Sequence, residues 1–253
     1  MRHSAFPPLR EAHHIYLSPH LDDAVLSCGG MITQQRAAGQ RVAVVTIFAG
    51  DPPEDAMLSD FARGLHERWQ AADPTAARRA EDRCALRALH PEIEIFHLPL
   101  PECLYRRNPA SGAWLYASEE ALFGAVHPSD PALMALQTPP TIPPGASLYA
   151  PLGVGNHVDH QVVRRAAETW GMALCYYEEF PYTVGNYPGA AAPAPTGWRR
   201  TAALPGADAL AAKVRAVACY TSQLSTFWES LEEMAHAVRT YEERVWYPPP
   251  ADG

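Results

Sequence analysis

The chain has 253 residues, 47% of them apolar, and a formal charge of −8. Apolar content at this level supports a sizeable core and excludes overall disorder, while the acidic balance leaves no basic patch for nucleic acid or an anionic membrane surface. The five cysteines (Cys28, Cys84, Cys103, Cys175 and Cys219) are scattered, odd in number and lack a C-x-x-C pair, which argues against a disulfide framework or a zinc ribbon.

In chain order, the opening segment MRHSAFPPLREAHH has no apolar h-region, and no later apolar run approaches the roughly 20 residues that cross a bilayer. One cytoplasmic domain without a membrane span is expected. Residues 15–17 read as a short buried strand and 24–38 as a helix ending near Gly39. Gly29-Gly30 inside that helix points to the close approach of another backbone. RVAVVTIFAG, 41–50, is a β-branched strand closed by glycine, and 51–72 reads as irregular. Residues 74–89 form a helix, with Asp73 as N-cap and Pro74 at its first position. EIEIFHLPL is the next strand, 118–136 is weakly helical, and 147–153 is a strand running into a turn. Residues 158–170 read as helix, ALCYYEEFPY as strand and NYPGAAAPAPTGW as a biased loop. Two closing helices, 207–223 and 229–245, precede a fraying tail, YPPPADG.

Strands alternating with helices predict an α/β fold whose mostly parallel sheet carries helices on both faces. In such sheets function gathers beyond the carboxyl ends of the strands, here after Leu17, Phe48 and Ala150. The first of these places holds SPHLDDA, with His20, Asp22 and Asp23. The third holds GVGNHVDHQ, with His157, Asp159 and His160. His157 and His160 are at i and i+3 and share one face of a helical turn.

Imidazole, carboxylate and imidazole form a ligand set for a catalytic Zn²⁺, with a fourth position open to water. The acidic and basic groups left over supply a base for the water and an acid for the leaving group. A plainer reading stands beside this one. Asp22 or Asp23 caps the first helix, and the two later histidines decorate a helix surface. Of the other histidines, His97 is the one expected to line a cleft. No G-x-G-x-x-G, G-x-x-x-x-G-K-[ST] or G-x-S-x-G is present.

Taken together, SPHLDDA, HVDH and the RRAE of Arg78–Glu81 resemble the motifs of the PIG-L/LmbE-like zinc-dependent de-N-acetylases, with YYEEFPY and KVRAVACYTSQ in support. The resemblance runs from about residue 13 to residue 224. It implies a Rossmann-like fold and removal of an acetyl or longer acyl group from a small-molecule amino-sugar conjugate such as an N-acetylglucosamine derivative. It implies Zn²⁺, or another divalent metal, on His20, Asp23 and His160. It also implies Asp22 as general base, His157 as a protonated group that steadies the oxyanion and then protonates the amine, and Asp159 as the holder of the His157 ring. This chain departs from the family pattern at Leu21, where proline is usual, and at Ala24, where glutamate is usual. Gly155 stands where some members carry a tyrosine near the substrate carbonyl.

Arg78 and Arg79 are substrate-binding candidates or surface arginines; Glu178 and Tyr182 are further candidates. The loops 51–72, 101–117 and 185–197 are expected to shape the substrate mouth, with Trp69, Tyr105, Trp114, Tyr187 and Trp198 as stacking aromatics or loop packing. Other readings are a metal hydrolase of another N-acyl amide, such as a thiol-cofactor precursor, and a non-catalytic carbohydrate-binding protein. Whether the chain forms a homo-oligomer is left open.

Overall fold

Five short β-branched and aromatic runs pair side by side in parallel: β1 (His14–Ser18), β2 (Val42–Thr46), β3 (Glu94–His97), β4 (Ser147–Pro151) and β5 (Leu174–Tyr177). With β6 (Arg199–Ala203) and β7 (Glu243–Tyr247) they make a seven-stranded sheet in the order β3-β2-β1-β4-β5-β7-β6. The computed structural model describes residues 6, 8–9, 11–52, 58–69, 74–184 and 196–249. Its helices are α1 (Asp23–Ala37), α2 (Asp60–Trp69), α3 (Pro74–Leu89), α4 (Glu119–Leu122), α5 (Pro131–Ala135), α6 (Val158–Thr169), α7 (Ala207–Val217), α8 (Thr221–Phe227) and α9 (Leu231–Thr240).

Side chains alternate across a strand, so β1 feeds two cores. Ile15 and Leu17 pack with α5 and α6 on one face. Tyr16, stacked on Tyr149 at 4.4 Å, packs with α1, α3, α7 and α9 on the other. The expected α/β architecture, a mostly parallel sheet with helices on both faces, is what the chain adopts. The strand order reverses between β1 and β4, the crevice where such sheets bind ligands.

Helix α1 lies deep against α3 and α7, and its buried glycines admit that packing. A Cβ on Gly30 would stand 2.1 Å from Cγ of Pro205, and one on Gly29 would stand 3.1 Å from Cγ of Lys213. The close approach expected at these glycines is therefore made by side chains rather than by another backbone. Beside them the helix interior is tied to β7. The Glu243 carboxylate accepts the backbone N–H of Gly30 and of Met31, each at 2.7 Å, and an N–H of the buried Lys213 at 2.7 Å.

Several expected boundaries are corrected. The segment 51–72, read as irregular, contains α2. The expected helix 207–223 stops at Val217 and restarts at Thr221. The expected helix 229–245 ends at Thr240, because Arg244 to Tyr247 pair antiparallel with β5 and β6. Strand β6 emerges just after the biased loop, most of which lies outside the described residues, as do Asp73 and residues 250–253 of the tail.

Candidate active site

Chain direction delivers the two motifs to one rim. Beyond β1 the turn at residues 19–22 leads into α1, and beyond β4 the turn at 152–157 leads into α6. The first turn does not use an aspartate as its cap. Asp22 occupies the N-cap position of α1 without a side-chain cap bond. Instead the Ser18 hydroxyl accepts the Ala24 N–H at 3.0 Å and donates to the His20 carbonyl at 2.7 Å. Both aspartates are thereby released from capping.

Asp23 Oδ2 stands 3.3 Å from His20 Nδ1 and 3.3 Å from His160 Nε2, and it accepts the His20 N–H at 2.7 Å. The other nitrogen of each ring rests on a second buried carboxylate. His20 Nε2–H donates to Asp159 Oδ2 at 3.0 Å, and His160 Nδ1–H donates to Glu179 Oε1 at 3.1 Å. In its neutral form each ring then turns its remaining nitrogen, with a lone pair, towards the same Asp23 oxygen. His160 Nε2 is buried with no hydrogen-bond partner. Three acceptors facing one another are stable only around a positive charge, and a carboxylate behind each imidazole is the support that metal-binding histidines carry. The donors present therefore fit a divalent metal on His20, Asp23 and His160.

The electrostatics point the same way. Burial opposes protonation of both rings, but the carboxylates outweigh it. Asp159 and Asp23 raise His20 well above the usual range, and Asp23 and Glu179 push His160 up to about 9. Asp23 itself is held well below the carboxylate range, since His160 and His20 overcome its desolvation. Asp22 behaves differently. Burial and the neighbouring Asp23 raise it to about 7, with Arg78 and His20 only partly offsetting them. The two adjacent aspartates are thus differentiated by environment, one strongly ionised and one poised near neutrality.

His157 is the N-cap of α6, its Nδ1 accepting the Asp159 N–H at 3.2 Å, which leaves the proton of the neutral ring on Nε2. Burial, with His20 nearby, lowers its pKa well below the ordinary histidine value. The expectation of a protonated His157 is corrected to a neutral ring that presents Nε2–H. The expected Asp159–His157 pair is also redrawn. The Asp159 carboxylate serves His20, the Cys103 N–H at 3.0 Å and Arg106 at 2.5 Å, and only its backbone reaches His157. Arg106, buried against Phe48, joins Asp159 to Asp130 and was not singled out by sequence. Its signal is weak, because nothing in RRN distinguishes it from Arg107, which stacks on Trp114 at 3.9 Å.

A cavity of about 280 Å³ opens over His20, Asp22, Asp23 and His157. Its walls are largely apolar, with Phe61, Leu65, Phe123, Phe180 and Phe227 prominent. Of the substrate candidates, Arg78 and Tyr182 line it. Arg78 is buried and ion-paired with Glu102, and the Tyr182 ring lies over Gly155, 2.9 Å from where a Cβ would stand. Arg79 does not line it; it donates to the Ala49 carbonyl and pairs with Asp51, each at 2.8 Å. Glu178 turns away to Arg200 and Trp246, while its neighbour Glu179, not chosen by sequence, holds His160 and the amides of Gly153 and Val154. His97 pairs with Asp82 at 2.7 Å and lies off the cavity.

The expected stacking aromatics are placed elsewhere. Tyr105 bonds His66, Trp114 takes Arg107, and Trp198 packs on Tyr176. Tyr187 and the side chain of Trp69 lie outside the described residues.

The model of the PIG-L family, described as GlcNAc-PI de-N-acetylase, matches residues 15–170. A 2'-N-acetylparomamine deacetylase of Niallia circulans is 29% identical over 186 residues, covering 66% of this chain and 66% of that protein. A teicoplanin deacetylase solved in a zinc-inhibited form is 28% identical with a TM-score of 0.73, covering 94% of this chain and 97% of its own. An antimicrobial pseudoaglycone deacetylase is also 28% identical, with a TM-score of 0.66 and coverage of 94% and 97%. No helix among the described residues is long and apolar enough to cross a membrane.

Proposed function

The chain belongs to the PIG-L family of de-N-acetylases, and from that premise we propose that it hydrolyses the N-acetyl or N-acyl group of an amino-sugar conjugate with the help of a divalent metal, zinc foremost. The observation that carries this reading is the convergence of His20, His160 and Asp23 on one point, each ring backed by its own carboxylate. A divalent ion held there supplies Lewis acidity for the water and the acyl carbonyl.

The chain's own residues do the rest. Asp22, at the cavity wall and poised at about 7, takes the proton of the attacking water. His157 lines the cavity with its Nε2–H left over from the bond at Nδ1, and it serves as donor to the oxygen on which negative charge develops. The proton held by Asp22 is then available to the departing amine, which must leave protonated. Tyr182 and Arg78 orient the sugar, and Asp159 steers the cluster through His20 and, by its amide, through His157.

The names of the relatives give acetylated paromamine and teicoplanin as the compounds those proteins act on. The apolar walls of this cavity support a conjugate whose aglycone or acyl group has apolar surface. The test supplies Zn²⁺ and a panel of N-acetylglucosamine conjugates with different aglycones, and reads the free amine by mass spectrometry. Amine release by the wild type, abolished in Asp22→Asn while the bound metal is retained, is the expected result. A wild-type protein that holds no divalent metal under any loading condition ends this reading.

A further inference from the structure

Resting on that reading, one feature of the cavity is left without a role. Cys103 is the only cysteine lining it among the described residues, and its backbone N–H donates to the Asp159 carboxylate at 3.0 Å. Donor atoms of Cys103, His157 and Asp159 all lie within 4.8 Å of one another, and all three residues are buried. Donor atoms of His20, His157 and His160 also lie within 4.8 Å of one another. His157 is common to both.

From this geometry we infer a second, weaker zinc site on Cys103, His157 and Asp159, beside the first, whose occupation shuts the enzyme off. Sulfur, nitrogen and oxygen from three side chains are a zinc ligand set that leaves a fourth position for water. Thiolate also selects zinc over the hard cations magnesium and calcium. On binding, the Cys103 S–H bond breaks, a zinc–sulfur bond forms and the proton passes to solvent, so charge and atoms balance without a redox partner.

The hydrogen bonds set the order of filling. In the first set His20 Nδ1 and His160 Nε2 are already directed at Asp23. In the second set the His157 ring gives up the Asp159 N–H whichever of its nitrogens binds. If Nδ1 binds, its lone pair is withdrawn from that amide; if Nε2 binds, its proton moves to Nδ1. Arg106 keeps Oδ1 of Asp159, and the incoming ion competes with His20 and the Cys103 N–H for Oδ2. The second ion therefore binds after the first; taken up through Nε2 it removes the N–H that His157 offers to substrate, and taken up through Nδ1 it breaks the Asp159 N–H bond that orients the ring.

The test titrates metal-stripped protein with Zn²⁺ against a chelator of known affinity, then repeats the titration with Co²⁺ and follows the near-ultraviolet. Two equivalents per chain are expected, with a thiolate-to-cobalt charge-transfer band arising only with the second. Cys103→Ser should keep the first equivalent at its wild-type affinity and lose both the second and the band, although Cys84 and Cys219 remain. Where amine release is measurable, excess Zn²⁺ should suppress it in the wild type and not in Cys103→Ser. A second equivalent that survives in Cys103→Ser, or a single equivalent in the wild type at every concentration, overturns the site. The wild-type cobalt spectrum decides even if the variant misfolds, because a second equivalent without the band also overturns it. Stoichiometry and spectrum read the site whether or not any sugar conjugate is turned over, so its failure is separable from failure of the deacylase reading.

Discussion

Glu178 and Glu179 lie one residue apart beyond β5, and they do unrelated work. One balances Arg200 at the sheet edge, and the other fixes the tautomer of His160 and pins the loop after β4. Glu179→Gln should weaken metal binding by about 10- to 100-fold, the usual cost of losing such a support. Glu178→Gln should leave metal affinity at the wild-type value. A chelator-competition titration of both variants checks the pair. The sequence reading picks Glu178 of the two adjacent acids, whereas the structure turns Glu179 inward, since the choice depends on where β5 ends. His20, Asp22, Asp23, His157 and His160 were legible because chemistry-bearing side chains are conspicuous after apolar strands. Asp159 was recognised, but its partner was not, because the choice between His20 and His157 is made by a distance of folding rather than by spacing. Arg106, Cys103 and Glu179 act from loops whose local sequence carries no period.

At the scale of elements, α3 shows what capping and composition can fix. Pro74 opens it and an Ala- and Arg-rich body sustains it to Leu89, the bounds expected from sequence. Strand β7 shows the opposite. The run Glu243 to Val245 continues the expected helix 229–245, and tertiary pairing on both sides draws it into the sheet. Helix α2 lies in a polar stretch without a clear apolar period, so its one local signal, the Ser59 hydroxyl that accepts the Ala62 N–H at 3.1 Å, does not by itself announce a helix. Between these cases lies α1, whose glycines are a packing requirement. Gly30→Ala would set a methyl group against Pro205 and Glu243, with the helix held from all sides. It should cost about 1–3 kcal/mol or more, as overpacking does, read as a lowered urea midpoint at unchanged slope.

For the whole molecule, the sheet order places both ligand turns at the strand-order reversal, so the fold itself gathers the site. The same gathering concentrates charge and links stability to pH. The folded pKa of His160, about 9, exceeds the unfolded value of 6.5, so its contribution is complete below 6.5 and is lost as pH climbs through 9. Asp22, raised from 3.8 to about 7, acts in the same sense, its contribution being lost as pH rises towards and past 7. In chelator, Tm should therefore fall as pH is raised from 6 to about 9. With Zn²⁺ supplied the trend should weaken or reverse, because the ligands must shed protons to bind it. Thermal melts across that range, with and without zinc, check both halves. One contact gives the molecule an order in time as well as in space. Glu243 braces the middle of α1 across 213 positions of chain, and the front of α1 carries Asp23. On the ribosome, α1 emerges long before its brace is synthesised. The nascent chain therefore acquires a fully supported turn at His20 to Asp23 only once residue 243 has cleared the exit tunnel.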